Sequence, residues 1–340
     1  MRKFIEIQKH LLPDFIDTLK KRYNILHHVM LSGVIGRRNL AISLHMTERT
    51  LRSELDFLKE QGLLETESIG MRVTEAGAQL LEDMQPYLKD IFGLTDMEAH
   101  IRQLYSLKQV VIVPGDSEQS ESTLKELGRA GAASLRKYVG AEDVIAVAGG
   151  TTMAEVAEGL NVSSQWKGNV FVPARGGLGE RVELQANTVA SIMAKKTGSS
   201  YRLLHVPDHL GEEAYHTLMQ DSNIQEIIQF IRKSRIVLHG IGDAMTMARR
   251  RKTDENAMRQ LAKAGSLAEA FGYYFDRDGQ VVHNIPTVGL RLEDIMKTEV
   301  VIGVAGGRSK GEAIAAVLKF GHEDVLVTDE AAAMEIIRHS

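Results

Sequence analysis

After about residue 107 the chain alternates short β-branched runs with helical segments and glycine turns. The runs are Val110–Val113, Val144–Ala148, Val170–Val172, Tyr201–Val206, Arg235–Gly240, Val300–Ala305 and Val325–Thr328. Strands that alternate with helices need crossover connections, and these give a mostly parallel, doubly wound α/β sheet. Ligands of such sheets sit beyond the carboxyl ends of the strands. Five glycine-bearing turns fall there: Pro114-Gly115-Asp116, Gly149-Gly150, Arg175-Gly176-Gly177, Gly240-Ile241-Gly242 and Gly306-Gly307.

The second of these turns carries the clearest chemistry. In Asp143–Glu158 an apolar strand runs into Gly149-Gly150-Thr151-Thr152 and then a helix. That order brings free backbone N–H groups, two hydroxyls and a helix N-terminus to one point, a place that attracts an anion such as phosphate. An ordinary tight strand-to-helix turn would look the same in isolation. The Gly-Lys-Ser/Thr ending of a nucleotide phosphate loop is missing, as is the Gly-x-Gly-x-x-Gly dinucleotide spacing.

Before residue 107 the text is helical and charge-rich. A first helix runs to about Leu12, and Pro13-Asp14 opens a second that ends at Ser32-Gly33. A short helix over 36–45 follows, then a turn with Thr47 as N-cap and a helix from Glu48 to Gln61 with Leu51, Leu55 and Leu58 on one stripe. Residues 63–74 read as two short strands around a turn. This is a winged helix-turn-helix, whose second long helix enters the major groove. Arg49, Thr50, Arg52 and Ser53 are the candidate base readers, with Thr47 beside them. Arg37 and Arg38, and Arg72 on the wing, are candidate phosphate contacts. Residues 1–72 hold 12 Lys/Arg against 9 Asp/Glu, a local excess of +3 in a chain whose net charge is −4. Any DNA contact is therefore local.

A length of 340 residues predicts two domains. The boundaries read as 1–90 for DNA binding, 91–107 for a helical linker, and 108–340 for effector binding and oligomerisation. No apolar run is long enough for a membrane helix, and charges interrupt the apolar residues of the start, unlike a signal peptide. With no cysteine, thiolate chemistry and disulfides are excluded, and a cytoplasmic setting fits. The spacing of His205, His209 and His216, broken by Pro207 and Gly211, gives no metal signal.

The N-terminal segment Thr47–Leu64 resembles DeoR-type DNA-binding domains. The larger part resembles the sugar-binding domain of SorC-family regulators, through Val111–Asp116, Val147–Thr152, Val172–Gly177, Gly303–Ile314 and Val325–Glu330. The resemblance covers essentially the whole chain. It implies a repressor of a glycolytic operon, an α/β domain akin to ribose-5-phosphate isomerase and glucosamine-6-phosphate deaminase, and fructose-1,6-bisphosphate or a related phosphosugar as effector. No cofactor is implied. Partners are operator DNA, the phosphosugar and further copies of the chain, as a dimer that pairs into a tetramer.

Within that frame Gly149, Gly150, Thr151 and Thr152 hold one phosphate. Arg175-Gly176 follows a strand, where a guanidinium fork suits a phosphate. Lys310 is a cation at the start of a helix, unfavourable against the dipole unless an anion sits nearby, with Arg308 as the alternative. The resemblance implies that Gln185 and Glu269 bind sugar hydroxyls. The run Arg249-Arg250-Arg251 offers a second anion pole, with Arg250 as its candidate; most of such a charge run faces water, and which of the three meets the ligand stays open. The competing reading is a sugar-phosphate isomerase or deaminase. The region Gly240-Ile-Gly-Asp243-Ala-Met keeps an aspartate but lacks the Gly-His that follows it in the deaminase pattern.

Overall fold

The structure is a computed structural model that describes residues 11–44, 46–84, 87–177, 181–207, 212–285 and 287–340. The expected first helix therefore lies mostly outside the described residues, as does His209. The chain divides into two compact units, Met1–Asp96 and Met97–Ser340.

The first unit contains α1 (Pro13–Ser32), α2 (Arg37–Ser43), α3 (Glu48–Glu60), β1 (Leu64–Glu67), β2 (Gly70–Val73), α4 (Glu75–Met84) and α5 (Leu88–Ile91). The division between the units falls within α6 (Leu94–Leu104), inside the expected 91–107 linker. Thr47 caps α3 by accepting the Thr50 N–H at 3.2 Å. Leu51, Leu55 and Leu58 are buried on one face of α3, as their spacing of four and three residues requires. Its flank is braced by Glu54, which accepts Arg22 Nε at 2.9 Å and Lys21 Nζ at 3.3 Å. The Arg22 guanidinium also lies 3.5 Å from the centre of the Phe57 ring. Strands β1 and β2 pair antiparallel, and Ile35 exchanges two backbone hydrogen bonds with Met71 at the wing's edge.

The second unit continues with β3 (Gln109–Val113), α7 (Glu121–Tyr138), β4 (Val144–Val147), α8 (Thr151–Glu158), β5 (Val170–Pro173), α9 (Ala186–Thr197), β6 (Ser200–Tyr201), α10 (Glu212–Leu218), α11 (Ser222–Arg232) and β7 (Ile236–His239). Then come β8 (Gly242–Asp243), α12 (Ala244–Arg250), α13 (Glu255–Lys263), β9 (Ala268–Ala270), β10 (Tyr273–Phe275), β11 (Val281–Asn284), α14 (Leu292–Ile295), β12 (Val300–Val304), α15 (Gly311–Phe320), β13 (Val325–Asp329) and α16 (Glu330–Arg338). Seven parallel strands form the main sheet in the order β3-β13-β12-β7-β4-β5-β6. From β4 the chain steps outward to β5 and β6; from β7 it steps the other way to β12 and β13. Right-handed crossovers in opposite directions put their helices on opposite faces. Leu127, Leu135, Met153, Val156, Val189 and Met193, from α7, α8 and α9, share one buried cluster with Ile145, Val147, Leu238 and Ile302 of the sheet. Between β4 and β7 lies the switch point where such sheets bind ligands.

Two features depart from the sequence reading. The run Tyr201–Val206 pairs in the sheet only at its start, because the Asn187 side chain takes both hydrogen bonds of Leu204, at 2.9 and 3.0 Å. The second is a four-stranded antiparallel sheet, β11-β10-β9-β8, inserted between β7 and β12. Its β9–β10 hairpin turns on Phe271 (φ 54°) and Gly272 (φ 87°), the two positive φ values of a type I′ turn. Strands of two to four residues carry too little periodicity to read in advance.

The amino end of β4 is tied across the sheet by Asp143, which accepts Arg235 Nε and Nη2, each at 2.6 Å, and the Gly140 N–H at 2.6 Å. Burial alone would raise the Asp143 pKa, but the Arg235 hydrogen bonds and the Gly140 N–H outweigh it and hold the carboxyl below its usual range. A depressed folded pKa gives stability that is present above the unfolded value, about 3.9, and is lost as pH falls through the folded value. Asp143→Asn is expected to lower the melting temperature at pH 7, with the gap to wild type closing below about pH 4. A gap as wide at pH 3 as at pH 7 would show that the ionised Asp143 contributes nothing. Buried Asp329, whose pKa burial raises, shifts stability the opposite way but equally in both proteins.

Candidate functional site

Residues at the carboxyl ends of β4, β5, β7 and β12 surround a cavity of about 280 Å³. All ten effector residues expected from the sequence line it: Gly149 to Thr152, Arg175, Gly176, Gln185, Arg250, Glu269 and Lys310.

The turn after β4 is built by two glycines with different tasks. Gly149 lies against the Leu184 carbonyl and the Ala186 nitrogen, where a Cβ would collide with backbone. Gly150 has φ 116° and ψ 167°, a region essentially closed to other residues. Its N–H donates to the Leu184 carbonyl at 2.9 Å, which docks the 182–186 loop and brings Gln185, the N-cap of α9, to the cavity. Helix α8 then starts with no side-chain cap and no acidic residue in its first turn. Among the described residues, neither the Thr151 nor the Thr152 hydroxyl has a hydrogen-bond partner. The first N–H groups of a helix have no partner within the helix, and the dipole adds positive potential there. The geometry suits an oxyanion.

Arg175 and Glu269 are both buried. Glu269 Oε1 accepts Arg251 Nη2 at 2.7 Å, Arg175 Nη1 at 3.3 Å and the Gly272 N–H at 2.6 Å. Burial alone would raise the Glu269 pKa, but the Arg251 and Arg175 charges and these hydrogen bonds hold it low, so it is a carboxylate. The expected sugar-binding Glu269 is thus also the anchor between two guanidinium groups and the β9–β10 turn.

The three consecutive arginines go three ways. Arg249 is exposed, Arg250 lines the cavity at the end of α12, and the buried Arg251 reaches Glu269 and the Tyr274 hydroxyl, the latter at 3.1 Å. Of the run, Arg249 alone is exposed, and Arg251 is drawn into the ion cluster. It follows the last residue of α12, where the chain leaves helical spacing and turns inward. Lys310 lines the cavity, and among the described residues its ammonium has no ion-pair partner. The alternative, Arg308, is paired with Glu335 at 3.1 Å and lies outside the cavity lining.

Residues that the sequence did not single out also line the cavity: Glu118, His239, Phe271 and Ser309. His239 is buried at the end of β7, within 2.9 Å of the Glu323 carboxylate and 4.3 Å from the Phe271 ring centre. Phe271 belongs to the unforeseen hairpin, so its placement had no signal. The Asp243 carboxylate, the one catalytic candidate of the enzyme reading, caps α12 by accepting the Thr246 N–H at 2.7 Å. Among the described residues, no group of three or more His, Asp or Glu side chains is arranged to hold a metal ion.

In the first unit, Arg49, Thr50, Arg52 and Ser53 are exposed on α3, and Arg37 and Arg38 are exposed at the start of α2. Among the described residues, these four arginines have no ion-pair partner. The Thr47 hydroxyl caps the helix, as expected of it, and meets the Thr50 hydroxyl at 2.8 Å. Arg72 is not a free cation. It pairs across the wing with Glu65 at 2.5 Å and Glu67 at 2.9 Å, because facing strand positions bring opposite charges together. Arg52→Ala is expected to weaken operator binding by about 1–3 kcal/mol, the value of a base contact. An unchanged midpoint in a mobility shift at fixed salt would remove Arg52 from the reading face.

Comparison with known proteins fits both units. Residues 18–88 match the CggR N-terminal DNA-binding domain, and residues 89–338 match the Sugar-bind family of sugar-binding domains. The chain is 46% identical over 339 residues to the central glycolytic genes regulator of Priestia megaterium, and 44% identical over 338 residues to that of Bacillus subtilis. Each alignment covers 99% of both chains. A solved SorC family transcriptional regulator from Enterococcus faecalis superposes with a TM-score of 0.67 at 41% identity, covering 71% of this chain and 99% of that one. The full-length sorbitol operon regulator of Klebsiella pneumoniae shares the fold at a TM-score of 0.66 and 19% identity, over 94% of this chain and 99% of its own. These relatives are transcriptional regulators and not enzymes. The chain belongs to the SorC family of sugar-responsive transcriptional regulators, in which a DNA-binding domain precedes a Sugar-bind domain.

Proposed function

We propose that this regulator represses glycolytic genes, that it grips its operator in the absence of effector, and that a phosphosugar, foremost fructose-1,6-bisphosphate, lowers its DNA affinity. The observation that carries the effector reading is the uncapped N-terminus of α8 facing the same cavity as Arg175, Lys310 and Arg250. One phosphate rests on the Thr151–Thr152 turn with Arg175 and Lys310, and Arg250 supplies the second pole. Gln185 and Glu269 take sugar hydroxyls. The names of the two full-length relatives supply the glycolytic target. The chain acts as a dimer that pairs into a tetramer on DNA, and the effector works by binding one arrangement of the protomers more tightly than the other.

A thermal-shift panel tests the ligand. Fructose-1,6-bisphosphate is expected to stabilise the protein most, by about 2.7 kcal/mol at 100 times its dissociation constant. Fructose-6-phosphate, glucosamine-6-phosphate and ribose-5-phosphate should do less, and none should be turned over. No stabilisation by any phosphosugar, or steady turnover of one, would contradict the proposal.

A further inference from the structure

The effector cavity contains an internal anion. Its lining includes three cations, Arg175, Arg250 and Lys310, and three carboxylates, Glu118, Asp243 and Glu269. Two of the carboxylates have structural work: Glu269 is bound by Arg251 and Arg175, and Asp243 caps α12. The third, Glu118, is exposed and comes from the loop after β3. Its Oε2 accepts the Ser309 N–H at 3.0 Å and its Oε1 accepts the Ser309 hydroxyl. Ser309 immediately precedes Lys310, in the turn that opens α15. A backbone N–H and a hydroxyl beside a cation form an oxyanion site of the same kind as the Thr151–Thr152 turn. In this turn a protein carboxylate occupies it.

The two loops are held in register from beneath. Asp329, fully buried, accepts the Ser117 N–H at 2.8 Å, the Ser117 hydroxyl at 2.5 Å and the Gly307 N–H at 2.6 Å. Glu118 therefore stands opposite Ser309 because the backbone on both sides is fixed, while its own side chain remains free to leave.

We infer that Glu118 is a resident competitor for the effector's phosphate and sets the concentration at which the regulator responds. The inference rests on the phosphosugar reading above. In the free protein the carboxylate satisfies Ser309 in the cavity that Lys310 also lines. An incoming phosphate takes over Ser309 and drives Glu118 out by like-charge repulsion. The affinity measured for the effector is thus the difference between two anions at one place.

The test is calorimetric titration of the full chain with fructose-1,6-bisphosphate, comparing wild type with Glu118→Gln and Glu118→Ala. Both variants are expected to bind roughly tenfold more tightly, the value of about one charge-assisted hydrogen bond. Their melting temperatures without ligand should be equal to or below that of wild type. A contact that merely stabilised the fold would give lower stability without tighter binding. Equal or weaker binding by both variants, with wild type binding normally, would overturn the competitor role alone. Failure of wild type itself to bind would overturn the phosphosugar reading, and the competitor role with it.

Discussion

Glu269→Ala is expected to destabilise the sugar-binding unit by about 3–5 kcal/mol, the cost of leaving buried charges without their partner. The substitution strands two guanidinium groups, Arg175 and Arg251, and removes the acceptor that closes the β9–β10 turn at Gly272. Glu269→Gln keeps an acceptor oxygen for Gly272 but not the charge, so its loss should be smaller. Trp166 is the sole tryptophan, is fully buried in this unit and lies 6.0 Å from the Phe171 ring, so its fluorescence reports the unit's unfolding in urea. A midpoint for Glu269→Ala within error of wild type would mean that the ion cluster contributes little.

Gly150→Ala is expected to remove most of the roughly 2.7 kcal/mol of stabilisation that saturating effector confers. Among the described residues, no atom beyond its immediate chain neighbours lies within 4 Å of the added methyl, so the effect is not steric crowding. It arises because φ 116° with ψ 167° is unavailable to alanine at low cost. The turn must shift, and with it the N–H groups that open α8 and the hydrogen bond to Leu184. Thr152→Val separates the contributions, since it leaves the backbone alone and deletes one hydroxyl, and its loss should be partial. Undiminished stabilisation of Gly150→Ala by fructose-1,6-bisphosphate would show that the α8 turn does not hold the ligand.

Much of this architecture is legible in the chain because apolar runs and glycine punctuation report directly on buried parallel strands. The recognition helix is equally plain from Leu51, Leu55 and Leu58, and its cap from Thr47. The turns at Gly149-Gly150 and Arg175-Gly176 are visible because ligand sites of parallel sheets lie at strand ends. What the chain conceals is which side chains the strand register and the loops bring together. Arg72 looks like a free cation until the wing's pairing sets it beside Glu65 and Glu67. Arg251 looks like part of a solvated run until the hairpin places Glu269 beneath it. Glu118 and Ser309 are 191 positions apart, and only the adjacency of the loops after β3 and β12 joins them.

The most direct test of the account is the operator affinity of the full chain at fixed salt, measured on DNA upstream of its glycolytic genes with and without fructose-1,6-bisphosphate. The account predicts nanomolar-range binding without the sugar, as for specific DNA readers generally, and a loss of about tenfold or more when the sugar saturates the cavity, within the usual span of coupling between two sites. That loss should disappear in Gly150→Ala while its affinity without the sugar is retained. An operator affinity unchanged by saturating phosphosugar in the wild-type protein would contradict it.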